Sequence, residues 1–206
     1  MHFVVSRREA NKQATREALI RAAVDLAREH GVDQVTADMV AERVGVSRRT
    51  FFNYFPTLDQ CLSATFSEAV TKALEAFTER PADEPVLTSA RHAFAEVLNP
   101  AATSDMVWVM RASIESGRVG ALCEIWHQAN DSMVASLRER APGADDLWIR
   151  SLAASIIGVA QSVFFAWMTR DPESQDIEAT HSRFQSDMAR SLAYLSQGFE
   201  TSAPHS

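Results

Sequence analysis

The stretch VAERVGVSRRTFFNYF, residues 40–55, determines how the whole chain is interpreted. Gly45 is predicted to end a helix over residues 37–44, because glycine readily takes the left-handed conformation that closes a helix. Two residues later, Ser47 can cap a second short helix. That helix must end before Pro56, since the residue preceding a proline disfavours helical geometry. Two short helices joined by a tight turn predict a helix-turn-helix.

The second of these helices divides its side chains between two faces. Phe51 and Phe55 are four residues apart, so they share a face and are expected to lie in the core. Arg49 and Asn53 share the opposite face, with Phe52 beside them. Arginine bonds guanine and asparagine bonds adenine with two hydrogen bonds each, and an apolar ring contacts the thymine methyl group. This face is predicted to enter the major groove of DNA, although the position of Phe52 is also compatible with the core.

Further residues near the two helix starts or at the edge of the groove are candidates for DNA contacts. Arg48 precedes Arg49 at the start of the second helix, and the pair is interpreted as contacting bases; the alternative is a solvated pair of charges. Thr36, a predicted N-cap, carries a hydroxyl group suited to a phosphate oxygen, as do Thr50 and Tyr54. Contacts of that kind fix the position of a protein on the duplex.

Charge is distributed unevenly along the chain. The 206 residues carry a formal net charge of -7, with 20 Lys and Arg against 27 Asp and Glu. Residues 1–60 hold nine of the bases and eight of the acids, so residues 61–206 carry the excess of acid. This asymmetry favours a head that meets a polyanion, attached to an acidic body. The alternative is ordinary solvation of helix faces.

Helical periodicity runs through the rest of the chain, and no segment alternates long enough to predict a strand, so the expected fold class is all-α. The first helix is predicted over residues 9–29 and ends at Gly31. Its inward stripe consists of Leu19, Ile20, Ala23, Leu26 and Ala27. Thr57 and Gln60 form a capping-box pattern that opens a helix over 57–80. Prolines and glycines delimit five further helices, at about residues 86–98, 104–116, 120–140, 145–169 and 173–199.

Residues 14–64 resemble the DNA-binding head of TetR-family transcriptional regulators. The segment VTADMVAERVGVSRRTFFNYFPTLDQCL, residues 35–62, is similar to that family's pattern over its whole length. The resemblance implies a three-helix helix-turn-helix head, residues 1–60, joined through the helix over 57–80 to a larger helical ligand-binding and dimerisation domain, residues 81–206. It also implies base contacts from Arg48, Arg49, Phe52 and Asn53, and phosphate contacts from Thr36, Thr50 and Tyr54.

One departure from the family concerns the start of the helix predicted over 57–80. Many members have a lysine there, whereas this chain has Leu58 followed by Asp59. A phosphate contact is therefore not expected at that point. Basic residues of the amino-terminal arm are expected to compensate, namely Arg7, Arg8 and Lys12.

The last two predicted helices favour a homodimer, and in the family the corresponding helices pair with their copies in a four-helix bundle. Residues 145–169 contain the nearly continuous apolar run LAASIIGVAQSVFFAWM, which exceeds what one packing face needs. The small residues Ala153, Ala154, Gly158 and Ala160 within it allow close approach of a partner helix. Residues 173–199 show apolar residues at helical spacing. Burial within one chain is the alternative. Two-fold symmetry suits two recognition helices on one pseudo-palindromic, double-stranded operator.

A pocket for a small, largely hydrophobic effector is expected in the C-terminal domain. On the helix over 120–140, Trp126 belongs to an apolar stripe, and a partly polar stripe lies beside it. The predicted lining consists of Met110, Trp126, Cys123, His127, Asn130, Phe164 and Trp167. Ordinary core is the alternative for most of them. Cys123 and His127, four residues apart, could instead begin a metal or redox site, but no second ligand pair is evident and no cofactor is predicted.

Motifs and composition limit the remaining classes of function. No phosphate-binding loop, nucleophile motif or carboxylate pair indicates an enzyme. No apolar run reaches the roughly 18 to 20 residues of a membrane span. The amino terminus does not resemble a secretory signal and the two cysteines are far apart, so a cytoplasmic protein is expected. The favoured interpretation is a homodimeric repressor released by its effector. The alternatives are a dimeric interaction protein that does not bind DNA, and an all-α enzyme that uses the apolar pocket.

Overall fold

The computed structural model describes the backbone of residues 7–96, 100–170 and 177–198, and the side chains of residues 7–94, 106–168 and 182–198. Within these ranges the regular secondary structure is helical, which confirms the all-α prediction. The helices are α1 (Arg7–His30), α2 (Ala37–Val44), α3 (Arg48–Tyr54), α4 (Leu58–Leu62), α5 (Ala64–Thr78), α6 (Val86–Glu96), α7 (Pro100–Glu115), α8 (Gly120–Arg140), α9 (Asp146–Arg170) and α10 (Ile177–Ser196). A 3-10 turn, Val32–Gln34, follows α1.

The first helix forms the centre of the head. All five residues of its predicted inward stripe are buried, and α1 packs against α2 and α4. Full burial of a leucine or isoleucine side chain stabilises a fold by about 1.5–3 kcal/mol. Gly31 follows the helix with φ 85°, and its backbone N–H donates to the carbonyl of Ala27 at 2.9 Å. The predicted helix and its glycine end are confirmed.

Side-chain caps fix the two helices of the helix-turn-helix. Thr36 Oγ1 accepts a hydrogen bond from Met39 N at 3.3 Å, and Ser47 Oγ accepts one from Thr50 N at 3.0 Å. Each bond satisfies a backbone N–H group that a helix start leaves without a partner, and such a cap contributes about 1 kcal/mol. Gly45 ends α2 in the left-handed conformation, with φ 75° and ψ 31°. The predicted bounds of both helices are confirmed.

The helix predicted over 57–80 is wrong in one respect, because it is interrupted at Ser63 and forms α4 and α5. The hydroxyl and the backbone N–H of Ser63 both donate to the carbonyl of Asp59, at 2.7 and 2.9 Å. A serine bonded to the carbonyl four residues earlier bends or weakens a helix. Thr57 caps α4 by accepting from Gln60 N at 3.1 Å. Gln60 Oε1 has no partner among the described residues, so only half of the capping box forms.

The C-terminal helices lie close to their predicted spans. The starts of α6, α8 and α9 are within one residue of prediction. The start of α7 is Pro100 rather than residue 104, since proline fits the first turn of a helix, where no backbone N–H is needed. Three predicted boundaries, at residues 98, 173 and 199, lie outside the described residues.

The chain forms two compact units. Unit 1 comprises residues 1–66 and 105–121, and unit 2 comprises residues 67–104 and 122–206. The largest buried side chains include Phe51, Leu19 and Met110 in unit 1, and Phe77, Met133 and Ile156 in unit 2. Both α7 and α8 pass from one unit into the other along the chain. Unit 1 therefore includes residues 105–121, which the predicted division assigns to the C-terminal domain, residues 81–206.

Helix α9 is apolar over most of its length. By length and composition alone its stretch Asp146–Met168 is able to cross a membrane, with a mean hydropathy of 1.6. This differs from the expectation that no segment has that property. Within the chain, 39% of the stretch is buried, and α10 packs against it. One helix of this length and composition is weak evidence for a membrane span.

Candidate nucleic-acid interface and effector site

Helix α3 separates a buried face from an exposed one. Phe51 and Phe55 are buried, with ring centroids 6.0 Å apart, which confirms their predicted place in the core. Phe52 is 40% exposed and meets the ring of Phe51 edge-on at 5.3 Å, so it lies at the surface. The exposed residues of α3 are Arg48, Arg49, Phe52 and Asn53. These are the four residues predicted to contact bases.

The polar residues on this face differ in how they are held. Arg49 and Asn53 have no hydrogen bond or ion pair to another described residue, so their donors and acceptors are available to a ligand. Arg48 Nη1 lies 2.6 Å from Asp38 Oδ2, and its guanidinium carbon lies 5.5 Å from the centroid of the Phe52 ring. Asp38 lies in the first turn of α2, where an acid also interacts favourably with the helix dipole.

The hydroxyl groups predicted to contact phosphates lie on α3 and at the start of α2. Thr36 is exposed, and Thr50 and Tyr54 are half-buried. Thr36 Oγ1 serves as a cap, and Thr50 Oγ1 lies 2.7 Å from Ser47 Oγ. A hydroxyl donates one hydrogen bond and accepts two, so an intramolecular bond still leaves capacity for a phosphate oxygen.

The three basic residues expected in an amino-terminal arm are helical. Arg7, Arg8 and Lys12 are exposed in the first turns of α1, which begins at Arg7 rather than at residue 9. Their spacing is therefore set by the helix. Arg7 and Lys12, five positions apart, are separated by roughly 7.5 Å along its axis.

The acid at the start of α4, where many family members have lysine, is engaged within unit 1. Arg118 Nε donates to Asp59 Oδ1 at 2.8 Å, and Arg118 Nη2 donates to the same oxygen. Arg118 Nη1 reaches the carbonyl of Val32 at 3.4 Å. The Arg118 side chain is 24% exposed and that of Asp59 is 39% exposed. This ion pair was not predicted, because the partners are 59 residues apart in sequence.

The turn after α7 places Arg118 in this position. Gly117 has φ 70° and donates to the carbonyl of Ile114 at 3.0 Å, while Arg118 N donates to the carbonyl of Ser113 at 2.8 Å. Two such bonds with a left-handed glycine form a Schellman motif, which directs the chain sharply away from the helix axis. Ser116 Oγ also donates to Asp33 Oδ2 at 3.0 Å. Segment 105–121 is thus tied to both ends of the helix-turn-helix.

Another ion pair on the head joins α1 and α2. Arg43 donates to both carboxylate oxygens of Glu29, at 2.9 and 2.7 Å. Hydrogen bonding to Arg43 holds the pKa of Glu29 below its ordinary value, so this acid stays ionised. Arg43 is therefore bonded within the head, whereas Arg49 has no partner among the described residues.

The helix-turn-helix matches a known family. Residues 19–65 fit the family described as bacterial regulatory proteins, tetR family. HTH-type transcriptional regulator TcmR from Streptomyces glaucescens is 27% identical over 190 residues, which cover 87% of this chain and 83% of that protein. An uncharacterized HTH-type transcriptional regulator of Mycobacterium tuberculosis is 31% identical over 86 residues, 40% of this chain and 44% of that protein. The helix-turn-helix of this chain is therefore similar to that of the TetR family of bacterial regulatory proteins.

The structural similarity extends beyond the head. The crystal structure of Thermus thermophilus FadR, a TetR-family transcriptional repressor in complex with lauroyl-CoA, has a TM-score of 0.57 and 22% identity to this chain. The likeness covers 93% of this chain and 100% of that one. At this level of identity it shows that the two proteins share a fold.

Part of the predicted effector lining forms an aromatic cluster in unit 2. The buried ring of Trp126 meets Phe164 at 5.7 Å between centroids, and Phe164 lies 6.3 Å from the half-buried Trp167. Trp167 in turn lies 5.0 Å from Phe184 on α10. Three of the predicted lining residues are therefore brought together, with a fourth aromatic that the prediction did not include.

The other predicted lining residues are placed differently. Met110 is buried in unit 1. On α8, Cys123 and His127 are exposed, with His127 at 74%, and Asn130 is half-buried. His127 Nε2 lies 3.7 Å from Asp131 Oδ2. The structure therefore does not enclose Cys123 or His127 in a pocket, because their stripe lies on the solvent side of α8.

Two further features bear on ligands. In the described part of the chain, no group of three or more His, Cys, Asp or Glu side chains is placed to hold a metal ion. Unit 2 also has an open groove of about 350 Å³. Its lining consists of Thr71, Leu74, Glu75, Thr78, Glu79, Ser132 and Ser136. None of the predicted effector residues is among them.

Proposed function

We propose that this TetR-family regulator is a homodimeric repressor that binds a pseudo-palindromic DNA operator through α3 and is released by a small, largely hydrophobic effector. The observation that carries the DNA-binding part is the exposed face of α3. There Arg49 and Asn53, without partners among the described residues, are presented by a helix whose start is capped by Ser47. Polar groups held in a fixed direction and left in water are suited to the edges of bases.

The residues of α3 have separate roles in this proposal. Arg49 and Arg48 bond guanine edges, Asn53 bonds an adenine, and the exposed Phe52 ring contacts a thymine methyl group. Phosphate contacts come from Thr36, Thr50 and Tyr54, with Arg7, Arg8 and Lys12 adding electrostatic attraction. Such contacts position the head on the duplex but carry no sequence information of their own.

A homodimer is supported by the surface of α9. Leu147 is 72% exposed at the start of the helix, and Ala154 and Gly158 are also exposed further along it. Residues 147, 151, 154 and 158 recur at helical spacing, so they lie on one face that a second copy of α9 can approach closely. The stripe on α10 is used differently, since Phe184, Met188 and Leu192 are buried within the chain. Two-fold symmetry then spaces the recognition helices for successive major grooves, roughly 34–36 Å apart.

The effector is assigned to unit 2. The aromatic cluster around Phe164 offers an apolar surface, and the related fold of Thermus thermophilus FadR holds lauroyl-CoA, which has a long acyl chain. An effector that binds better to a dimer whose heads are wrongly spaced opposes DNA binding by that difference in affinity. Cys123 and His127 are exposed and Asn130 is half-buried, so these residues contact the effector only where another surface covers this side of α8. Repression is proposed rather than activation because FadR, which shares this fold, is a transcriptional repressor.

A gel-shift titration tests the DNA-binding part. Duplexes from the region upstream of the protein's own gene are titrated with the full chain at two salt concentrations, in the presence of random competitor DNA. Specific binding that weakens steeply with salt is expected, because neutralised phosphates release counterions. Absence of specific binding to every upstream segment contradicts the proposed function.

Matched arginine variants locate the interface. Arg49→Ala removes one positive charge from α3, and Arg138→Ala removes one from unit 2, where Arg138 pairs with Asp146 at 2.6 Å. The first is expected to lose binding to the specific duplex and the second to retain it. Equal behaviour of the two variants contradicts the assignment of α3.

A further inference from the structure

An acidic side chain stands next to the proposed base-contacting face. Asp38 lies in the first turn of α2, and its Oδ2 is 2.6 Å from Arg48 Nη1. The two side chains are 58% and 65% exposed, so the pair lies at the surface. A carboxylate beside a DNA-binding helix repels phosphates, which makes its position unfavourable for non-specific binding. Its favourable interaction with the helix dipole does not require a partner on α3.

Arg48 is held from two directions. Asp38 accepts from Nη1, and the ring of Phe52 lies under the guanidinium, with 5.5 Å between the guanidinium carbon and the ring centroid. Phe52 packs edge-on against the buried Phe51 at 5.3 Å. Phe52 thus connects the buried Phe51 to the guanidinium of Arg48. Because arginine has five N–H donors, one bond to Asp38 leaves the others for the two acceptors of a guanine edge.

We infer that Asp38 is a specificity-determining residue of this regulator that acts through Arg48. By restricting the rotamers of Arg48 it reduces the conformational entropy lost when the guanidinium bonds its base. By its charge it disfavours duplexes that offer no matching base to Arg48. Asp38 touches no base, so it is a positioning residue. This inference rests on the proposed base contact of Arg48.

The inferred role of Asp38 concerns Arg48 and not the neighbouring Arg49. Arg49 has no partner among the described residues, so its base preference does not depend on Asp38. A change at Asp38 therefore alters preference at the base pair contacted by Arg48, and at its symmetry mate in the other half-site, and leaves the remaining positions unchanged.

The experiment selects bound duplexes from a randomised pool with the full-length wild-type protein, Asp38→Asn, and the control Glu29→Gln. Both variants replace an acid that bonds an arginine of the head by its amide, but the partner of Glu29 is Arg43 on α2. Asp38→Asn is expected to lower the preference at one symmetric pair of positions by about tenfold. Its affinity for random DNA should rise, because a repelling charge is lost. Glu29→Gln is expected to keep every base preference.

Two further variants separate geometry from charge. Asp38→Glu keeps the charge on a longer side chain, so its affinity for random DNA should match wild type while its preference at the symmetric pair falls. Arg48→Ala removes the group through which Asp38 acts. Combining it with Asp38→Asn should therefore produce no further loss of preference beyond Arg48→Ala alone.

Several results overturn the inference. A uniform change of affinity across all sequences for Asp38→Asn means that Asp38 acts only by its charge. A lower thermal midpoint with an unchanged preference means that the pair only braces the turn between α2 and α3. A loss of preference that persists in the Arg48→Ala background rules out action through Arg48. If the wild-type protein selects no sequence, the proposed function fails as well, whereas a selective wild type with an equally selective Asp38→Asn variant removes this inference alone.

Discussion

Arg118→Ala is expected to destabilise unit 1, because the substitution leaves the Asp59 carboxylate without its two N–H donors and the Val32 carbonyl without its long contact. Each hydrogen bond to a charged group contributes about 1.5–3 kcal/mol where it is sheltered from water. Arg118 is 24% exposed and Asp59 39% exposed, so solvent screening reduces that range. We expect a loss of about 2 kcal/mol in the free energy of unfolding, or roughly 4–8 °C in the thermal midpoint of a chain of this size.

Thermal and urea unfolding of four proteins measure the contribution of the pair: wild type, Arg118→Ala, Asp59→Ala and the double variant. Asp59→Ala also removes an acid from the first turn of α4, so the single substitutions need not be equal. The double variant should be more stable than the sum of the two losses implies, by about 1–2 kcal/mol. Arg138→Ala in unit 2, which breaks a more exposed pair, should leave the midpoint close to wild type.

Additive losses, to within about 0.5 kcal/mol, would refute the reasoning, since they show that Arg118 and Asp59 do not interact in solution. Loss of the whole fold in Asp59→Ala alone would also contradict it. That result assigns the stability to the start of α4 rather than to its contact with the turn after α7.

Three other predictions concern DNA contacts, acid stability and thiol reactivity. Arg49→Ala should cost about 1–3 kcal/mol of binding free energy at the cognate site and relax base preference, whereas Tyr54→Phe should weaken binding to all sequences alike. Titrations against cognate and random duplexes measure both effects. Equal losses of affinity on both duplexes for both variants would contradict the division between base and phosphate contacts. Hydrogen bonds from Arg80 and Ser89 hold the pKa of Glu84 at about 2, below the ordinary 4.5. The stability that Glu84 contributes is thus present above pH 4.5 and lost as pH falls toward 2. In Glu84→Gln the thermal midpoint should therefore change less with pH over that window than in the wild type. Burial raises the pKa of Cys61 to about 12. At about pH 8 a thiol-selective reagent should therefore modify the exposed Cys123 and reach Cys61 only after denaturation. Modification of Cys61 in the folded protein would contradict its burial.

Local chemistry explains why the head could be predicted from sequence. The bounds of α2 and α3 depend on Thr36, Gly45 and Ser47, and each acts on backbone groups within three or four residues of itself. The interruption at Ser63 was missed, because a serine inside a helix either faces solvent or bonds the carbonyl four residues earlier, and the sequence does not distinguish the two. The pair of Asp59 and Arg118 depends on tertiary structure alone.

The effector site was less predictable for a related reason. Helical periodicity gives the angle between the stripe of Trp126 and the stripe of Cys123 and His127, but not which side of α8 the rest of the chain covers. The structure buries Trp126 and exposes Cys123 and His127. Met110 was grouped with Phe164 because both are large and apolar. Size and hydrophobicity do not reveal that α7 enters unit 1 at residue 105.

Selection of bound fragments from genomic DNA tests the central claim most directly, with wild-type protein compared with an Arg49→Ala/Asn53→Ala variant. The wild type should enrich a two-fold symmetric motif whose half-site centres are roughly one helical turn, 34–36 Å, or a larger spacing apart. The variant should enrich no motif, or one degenerate at the positions that these side chains contact. Enrichment of the same motif by both proteins, or of none by the wild type, would contradict sequence recognition through the exposed face of α3.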